Sequence, residues 1–275
     1  MNKKTSAFYR QLEEDAVEYA EKAVTLIRSY EHTFTIAKKK EEMDFATNAD
    51  HEAENLIREK IHKKYPDHGI LGEEYGEQPG SSDYTWVIDP LDGTRDFARG
   101  AGEYGCLIAV EHNRELVAGV ARKIGHNELY TCSKGNGSYC DSEKIHVSKT
   151  DNLFQSYIGF HIPSYQQEKN LVEKGIRILK NTVLACYRIR PGWHDAYLLA
   201  SVAKGVFDGL ISPLPLKWWD VAPSILLVEE AGGKVTDCDG YRIKNRNLSN
   251  GIVASNGILH EQLLDIVRIS AKGGA

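Results

Sequence analysis

The segment Trp86-Val-Ile-Asp-Pro-Leu-Asp-Gly-Thr-Arg-Asp-Phe97 decides both the fold and the chemistry of this chain. A predicted strand delivers Asp89 to its carboxyl end, and Asp92 follows on the loop. Gly93 and Thr94 come next, at a possible helix start. Carboxylates are the ligands that Mg²⁺ prefers, and free N–H groups at a helix start suit phosphate oxygens. The segment therefore predicts a metal and phosphate site, although the same residue types also build ordinary turns.

Two helices are predicted before this segment. Apolar residues recur at helical spacing from Leu12 to Ile27 and again from Asn48 to Lys64, and Pro66 ends the second helix. A short apolar stretch at Gly69–Gly72 follows. The strands predicted downstream, as an antiparallel meander joined by turns, are Cys106–Glu111, Glu115–Arg122 and Glu128–Cys132.

Helices and strands alternate in the second half of the chain, which is typical of an α/β unit. The predicted helices are Leu171–Leu179, Asp195–Lys204, Val221–Glu230 and Leu259–Ile269, and the predicted strands are Val183–Ile189, Phe207–Ile211, Lys234–Thr236 and Ile252–Ser255. We expect an N-terminal α+β half over residues 1–150, with an antiparallel sheet and most of the metal ligands. A C-terminal α/β half over 151–275 would supply Asp220 and the substrate wall. No Gly/Ser linker separates them, so tight packing is expected.

Composition limits the possible functions. The 275 residues carry a net charge of −5, which argues weakly against non-specific nucleic-acid binding. The five cysteines are widely spaced and form no CxxC pair, so neither a disulfide framework nor a zinc site is predicted. No apolar run reaches the length of a membrane span, and the first ten residues contain no apolar signal core. We therefore expect a cytoplasmic protein with no membrane or nucleic-acid partner.

Three further motifs share the acidic character of the central segment. They are Gly72-Glu73-Glu74, Asp44-Phe-Ala-Thr-Asn-Ala-Asp50, and Trp219-Asp-Val-Ala followed by Glu229-Glu-Ala-Gly-Gly233. Each alone could be a solvated loop or a helix cap. Together with Asp89–Thr94, in this order and at these intervals, they resemble the inositol monophosphatase superfamily. The resemblance spans about residues 10–270.

The resemblance implies a fold and a cofactor. The fold would be a layered α-β-α-β-α sandwich of the inositol monophosphatase and fructose-1,6-bisphosphatase type, combining α+β and α/β features. The activity would be Mg²⁺-dependent hydrolysis of a small phosphorylated metabolite, with two or three ions. Glu73, Asp89 and the Leu91 carbonyl would hold one ion, and Asp89 would be shared with a second ion held by Asp92 and Asp220. Several carboxylates meeting in one site repel one another, so cations are physically required there.

The resemblance also implies how water and phosphate are handled. Glu73, Thr94 and Asp44 would be the catalytic residues, with Asp44 behind Thr94 and Thr94 orienting the attacking water. Backbone N–H groups of Gly93 and Thr94 would hold phosphate oxygens. Homodimers and inhibition by Li⁺ are common in the superfamily and are expected here on that ground alone.

The sequence departs from inositol phosphatases at Arg190-Pro-Gly-Trp-His-Asp195, in the predicted substrate wall. Asp195 falls where the histidinol-phosphate phosphatases of the superfamily place an aspartate, and Pro215-Leu-Lys-Trp-Trp-Asp220 is similar to their L-K-x-W-D. Asp195 could instead cap the helix that follows it, and Trp193 could be a core residue. The candidate substrate-binding residues are Asp92, Gly93, Thr94, Trp193, Asp195 and Asp220.

Several functions therefore compete. The first is a phosphatase for an inositol or sugar monophosphate, and the second is a histidinol-phosphate phosphatase. A phosphoadenosine-type nucleotide phosphatase is a third, although no basic cluster for a second phosphate is evident in the sequence. The alternative from another class is a non-catalytic scaffold that binds an RNA or transcription complex on the same fold.

Overall fold

A computed structural model describes residues 3–39, 45–162, 168–192, 194–244 and 246–272. The helices in these ranges are α1 (Lys3–Ser29), α2 (Asn48–Lys64), α3 (Thr94–Arg99), α4 (Lys169–Ala185), α5 (Asp195–Ala203), α6 (Trp218–Glu230) and α7 (His260–Lys272). The strands are β1 (Ile36–Lys39), β2 (Phe45–Thr47), β3 (Gly69–Gly72), β4 (Gly76–Gln78), β5 (Tyr84–Asp92), β6 (Gly105–His112), β7 (Glu115–Lys123), β8 (Glu128–Ser133), β9 (Gly137–Cys140), β10 (Glu143–Ile145), β11 (Tyr157–Phe160), β12 (Arg188–Pro191), β13 (Gly209–Ser212), β14 (Lys234–Asp237) and β15 (Ile252–Ser255).

Two large sheets organise these elements. The first has eight strands in the order β10-β9-β8-β7-β6-β5-β3-β4, antiparallel except for the β3–β5 pair. The second has five strands in the order β12-β11-β13-β15-β14 and mixes parallel with antiparallel pairs. The predicted antiparallel meander is therefore confirmed.

Side chains that alternate along the strands pack into three apolar clusters, each between a sheet and the helices beside it. On β5, Trp86 and Ile88 pack against α1 and α2, whereas Val87 faces α5 and α6. On β13, Leu210 faces that same middle helical layer, and Ile211 packs against α4 and α7. The layers thus run α1/α2, first sheet, α5/α6, second sheet, α4/α7, which confirms the expected α-β-α-β-α sandwich.

The middle layer matters most for function. Helices α5 and α6 come from the second half of the chain, yet their buried residues share one apolar cluster with both sheets. This cluster joins the two predicted halves, whose division at residue 150 stays a prediction. Helix α6 contacts β5 and β6 of the first sheet. Residues near its start can therefore meet residues at the end of β5.

The strand predicted at Val183–Ile189 is wrong. Helix α4 continues through Ala185, and the Cys186 N–H still donates to the Thr182 carbonyl. The strand begins only at Arg188. Val183 and Leu184 are exposed on the last helical turn, so the apolar run that suggested a strand is a surface feature.

Membrane spans were also considered. Among the residues that the structure describes, no helix combines the length and the apolar character that crossing a bilayer requires.

His260 links the edge of the second sheet to the start of α7. Its side chain is 1% exposed, with Nδ1 2.9 Å from Ser255 Oγ and Nε2 3.0 Å from Thr236 Oγ1. Burial, with a smaller contribution from Lys234, lowers the pKa of His260 from 6.5 to about 4. The folded protein therefore favours the neutral ring, and the two hydroxyls satisfy both of its nitrogens.

Acid is expected to destabilise the protein through His260. Because its folded-state pKa lies below the ordinary value, its contribution is complete above pH 6.5 and is lost as pH falls towards 4. At about 1.4 kcal/mol per pKa unit, the loss is about 2 to 3 kcal/mol. Urea unfolding at pH 7 and pH 4.5 measures it, with His260→Gln as the comparison. An equal pH dependence in both proteins would contradict this assignment.

Candidate active site

Two carboxylates lie at the end of β5. Asp89 and Asp92 are 2% and 8% exposed, and the Leu91 N–H donates to Asp89 Oδ1 at 3.1 Å. Pairing with β6 is irregular between these two aspartates, because Asp89 pairs with Leu107 but Asp92 with Gly105. Such an irregularity changes the direction of side chains near a strand end. It leaves both carboxylates lining the same cleft.

Glu73 is held beside them by the parallel β3–β5 pair. Gly72 lies opposite Ile88, and the Glu73 N–H donates to the Ile88 carbonyl at 3.1 Å. Because Asp89 follows Ile88 directly, this hydrogen bond fixes the backbone of Glu73 next to that of Asp89. The register of one strand pair thus sets the relative position of two predicted ligands.

Asp220 reaches the same place from the middle layer. It is the third residue of α6, and the neighbouring Trp218 donates its indole N–H to the buried Glu111 at 2.8 Å. Glu73, Asp89 and Asp92 join it in lining a cleft of about 620 Å³. Leu91, Gly93 and Thr94 line the cleft as well. All the predicted metal ligands therefore face one cavity.

The electrostatics of this cleft are unfavourable for carboxylates. Burial, together with the charges of Glu73, Asp92 and Asp220, raises the pKa of Asp89 well above its ordinary value. Burial and the neighbouring carboxylates raise the pKa of Asp220 in the same way. Burial raises the pKa of Asp92 to about 6, with the nearby His194 opposing the shift. A cation in the cleft would lower all three pKa values.

The donor set fits a hard divalent cation. Asp92 Oδ2 is buried and has no hydrogen-bond partner among the described residues, so it is available as a ligand. Within the described ranges, no three acidic, histidine or cysteine side chains lie close enough together to hold a metal ion without moving. The carboxylates line an open cleft instead, as mutual repulsion would favour.

Gly93 shapes the loop between the aspartates and α3. Its φ is +88°, and a Cβ atom there would lie 2.5 Å from the Glu103 carbonyl oxygen and 2.8 Å from His194 Nε2. Only glycine tolerates both this left-handed backbone conformation and the close approach of these two atoms. Helix α3 begins at Thr94, which confirms a helix start at this point.

Thr94 has a buried carboxylate partner. Its Oγ1 lies 2.7 Å from Asp50 Oδ1, to which it donates, and 3.1 Å from the Leu91 carbonyl oxygen. Asp50 is 1% exposed and also accepts from the Thr47 N–H at 2.8 Å and from its hydroxyl at 2.5 Å. Asp44, which we predicted behind Thr94, lies outside the described residues. Among the residues that are described, Asp50 occupies that position.

The sequence contained a signal for Asp50. Thr47-Asn-Ala-Asp50 has the spacing of a capping box, in which the carboxylate folds back onto the helix start. That spacing places Asp50 in the first turn of α2, facing inward. The motif Asp44–Asp50 contains both aspartates, and the role was predicted for Asp44.

The predicted substrate wall is partly described. Asp195 begins α5, is 5% exposed, and has its Oδ2 2.5 Å from His161 Nδ1. Its Oδ1 is buried with no partner among the described residues, so helix capping does not account for this side chain. Both residues line a second cavity of about 200 Å³, which also borders Asp92 and Asp220. Trp193 lies outside the described residues.

His161 was missed in the sequence. It follows β11, a central strand that we did not predict, although Tyr157-Ile-Gly-Phe160 has the aromatic and β-branched composition of a strand. The negative charge of Asp195 raises the pKa of His161, because it outweighs the opposing effect of burial. This His161–Asp195 pair borders the cavity.

His194 and two arginines complete the cleft. His194 Nδ1 lies 3.3 Å from Asp92 Oδ1, and Nε2 lies 2.9 Å from Asp96 Oδ2. These carboxylates, Asp92 above all, raise the pKa of His194. Arg95 and Arg99 of α3 line the same cleft and are exposed. The structure thus brings together a pair of basic side chains that the sequence analysis had not recognised.

Known proteins share this arrangement of the chain. Residues 9–272 match the model of the inositol monophosphatase family. An inositol-1-monophosphatase from Mesorhizobium japonicum is 34% identical over 230 residues, which cover 82% of this chain and 83% of the relative. A histidinol-phosphatase from Chlorobaculum parvum is 33% identical over 258 residues, covering 90% and 93%. The solved structure of the extragenic suppressor protein suhB from Bartonella henselae has a TM-score of 0.85 at 30% identity, covering 96% of this chain and 100% of that one.

The layered fold and these relatives define a phosphatase, a hydrolase of phosphoric monoesters. The chain belongs to the inositol monophosphatase family, since the family model matches nearly its whole length. The resemblance seen in the sequence motifs is therefore confirmed, including its similarity to histidinol-phosphatases.

The Thr94–Asp50 contact predicts which aspartate supports catalysis. Asp50→Asn should lower kcat about 100-fold, because Thr94 would lose the carboxylate that holds its hydroxyl proton. Asp44→Asn, assayed alongside with the same phosphate ester, should have the smaller effect. If Asp44→Asn caused the larger loss of kcat, the assignment of Asp50 would be wrong.

Proposed function

We propose that this phosphatase hydrolyses a small phosphate monoester, an inositol or sugar monophosphate, with Mg²⁺ and without a covalent enzyme intermediate. The observation that carries the proposal is the convergence of Glu73, Asp89, Asp92 and Asp220 on one cleft beside the Thr94–Asp50 pair. Such a cleft suits a metal-assisted attack by water.

The family resemblance implies which residues would hold two Mg²⁺ ions, and all of these residues line the cleft. Glu73, Asp89 and the Leu91 carbonyl would hold one ion, and Asp89 would share a second with Asp92 and Asp220. A third, weaker ion at Glu73 is part of the proposal. Bound Mg²⁺ supplies polarisation of the phosphoryl group and activation of water. The protein contributes fixed carboxylate positions, which are set by the β3–β5 register and by α6.

Thr94 and Asp50 would orient the attacking water. Because the Thr94 hydroxyl donates to Asp50, its oxygen lone pairs remain available to accept a hydrogen bond from water. The three hydrogen bonds to Asp50 favour its charged form, although burial raises its pKa overall. The N–H groups of Gly93 and Thr94, at the start of α3, would hold the phosphate oxygens.

A second candidate substrate is an amino-alcohol phosphate such as histidinol phosphate. The observation that favours it is Asp195, which lines the cavity next to Asp92 and whose buried Oδ1 has no partner among the described residues. A buried carboxylate oxygen without a partner is costly, and an ammonium or hydroxyl group of the substrate would satisfy it. The histidinol-phosphatase from Chlorobaculum parvum supports this candidate by its name.

Two further possibilities are tested by the same assay. Arg95 and Arg99 could bind a second phosphate, which keeps bisphosphates and phosphoadenosine phosphate among the substrates to be examined. The scaffold alternative would bind an RNA or protein complex without turnover. The predicted homodimer and the predicted absence of nucleic-acid binding stay predictions.

Phosphate release from a panel of esters tests the proposal. Inositol 1-phosphate, fructose 1,6-bisphosphate, histidinol phosphate and phosphoadenosine phosphate should be assayed with Mg²⁺ and with EDTA. We expect turnover of one preferred ester in Mg²⁺ and none in EDTA, because the carboxylates alone cannot activate water. Turnover that EDTA leaves unchanged would refute the metal assignment, and no turnover of any ester would favour the scaffold.

Asp195→Asn separates the two substrate candidates within this panel. If Asp195 binds the substrate ammonium, the variant should raise KM for histidinol phosphate at least tenfold, because a charge-assisted contact is lost. Its KM for inositol 1-phosphate should change far less. An equal change for both esters would remove the argument for an amino-alcohol substrate.

A further inference from the structure

The turn that follows β3 carries Glu73, and its backbone is anchored at three successive residues. The Glu73 N–H donates to the Ile88 carbonyl oxygen at 3.1 Å. The next two N–H groups, of Glu74 and Tyr75, both donate to the side chain of Glu54 on α2, at 2.8 Å and 3.3 Å. Backbone N–H groups in a turn usually donate to water or to acceptors within the turn. Donation to a buried side chain of another helix is therefore a distinctive feature of this turn.

Glu54 belongs to a buried ion pair. It is fully buried, and Arg58, one helical turn further along α2, donates from Nε to Glu54 Oε1 at 2.8 Å. Arg58 also donates from Nη2 to the Gly76 carbonyl oxygen at 2.6 Å. The pair therefore bonds to both ends of the turn. Glu54 accepts hydrogen bonds from N–H groups near its start, and Arg58 donates to a carbonyl oxygen at its end. Both charged side chains have hydrogen-bond partners in this arrangement, as a buried ion pair requires.

The absence of a side chain at Gly72 allows Glu54 to approach the turn. A Cβ atom at Gly72 would lie 2.0 Å from Glu54 Oε1, in space that the carboxylate fills. Tyr75 closes the other side, where its hydroxyl accepts from Asn55 Nδ2 at 2.8 Å and its ring lies 5.7 Å from the Arg58 guanidinium carbon. The contact between α2 and the turn is thus closely fitted over residues 72–76.

The same helix also holds Thr94. Asp50 precedes Glu54 by one helical turn, so the two carboxylates lie on one face of α2. Asp50 accepts from Thr94 Oγ1 at 2.7 Å, and Glu54 accepts from the turn of Glu73. A single rigid element therefore contacts the supports of both the candidate water-orienting residue and a candidate metal ligand.

We propose that the Glu54–Arg58 pair positions Glu73 for cation binding, through the backbone of the Glu73–Gly76 turn. The inference rests on the proposed function, because it needs Glu73 to be a ligand. Neither Glu54 nor Arg58 lines the cleft, so the pair acts through the turn and touches no substrate. Residues that orient metal ligands in this way typically change metal affinity 10- to 100-fold when they are replaced.

Glu54→Gln tests the proposal, with Glu59→Gln as the matched control on the exposed side of α2. Calorimetric titration with Mg²⁺ should show an affinity 10- to 100-fold weaker in Glu54→Gln and unchanged in Glu59→Gln. Hydrogen exchange in EDTA gives a readout that needs neither metal nor activity. The amides of Glu74 and Tyr75 should exchange faster in Glu54→Gln, because one of their acceptor oxygens becomes an amide donor.

The outcomes separate this inference from the proposed function. A wild-type protein that binds no Mg²⁺ overturns the proposed function and the positioning role with it. Wild-type binding that Glu54→Gln retains within twofold overturns the inference alone, as do unchanged exchange rates at Glu74 and Tyr75.

Glu54→Asp covers the case in which Glu54→Gln does not fold. The shorter side chain keeps a negative charge for Arg58 but cannot reach both amides of the turn. It should weaken Mg²⁺ binding in the same direction, and full affinity in a folded Glu54→Asp protein would overturn the positioning role.

Discussion

Repulsion among buried carboxylates is the constraint on which the account of this site depends. Asp89, Asp92 and Asp220 each have a raised pKa, because burial and neighbouring negative charges disfavour ionisation. A fold that only minimised its free energy would not collect these groups in one cleft. The two sheets and the middle helical layer hold them together nevertheless, and this cost is the usual mark of a site kept for function.

The fold opposes that repulsion by fixing backbones rather than side chains. The β3–β5 register sets Glu73 beside Asp89, and α6 brings Asp220 from the second half of the chain. Helix α2 adds a further constraint, since Asp50 and Glu54 on one face contact Thr94 and the turn of Glu73. The carboxylates can then line an open cleft while their backbones stay in place. A bound cation would then need only rotation of the carboxylate side chains to bring them together.

Much of this arrangement could be predicted from the sequence, and the failures have physical causes. The order and spacing of the acidic motifs were enough to predict the family and the acidic residues of the cleft, because both can be read directly from the sequence. Asp50 was passed over for Asp44, although the predicted helix start at Asn48 and the capping-box spacing of Thr47 and Asp50 already favoured Asp50. His161 was missed with its strand, and Val183–Ile189 was assigned to a strand because exposed apolar residues end α4. Glu54 could not be told from Glu59 by sequence, as only the packing of α2 distinguishes a buried glutamate from an exposed one.

The unfolding free energy of Asp220→Asn, measured in EDTA and in Mg²⁺, tests whether the acidic residues of the cleft form a cation site. The variant replaces one ionisable group of the cleft by a neutral side chain of the same shape. Asp220→Asn should be more stable than the wild type in EDTA, by about 1 kcal/mol, because repulsion is relieved. Mg²⁺ should stabilise the wild type more than the variant, because the second ion loses a ligand while Glu73, Asp89 and the Leu91 carbonyl would still hold the first. A variant that is less stable in EDTA and is stabilised by Mg²⁺ as much as the wild type would contradict the claim that these carboxylates form a cation site.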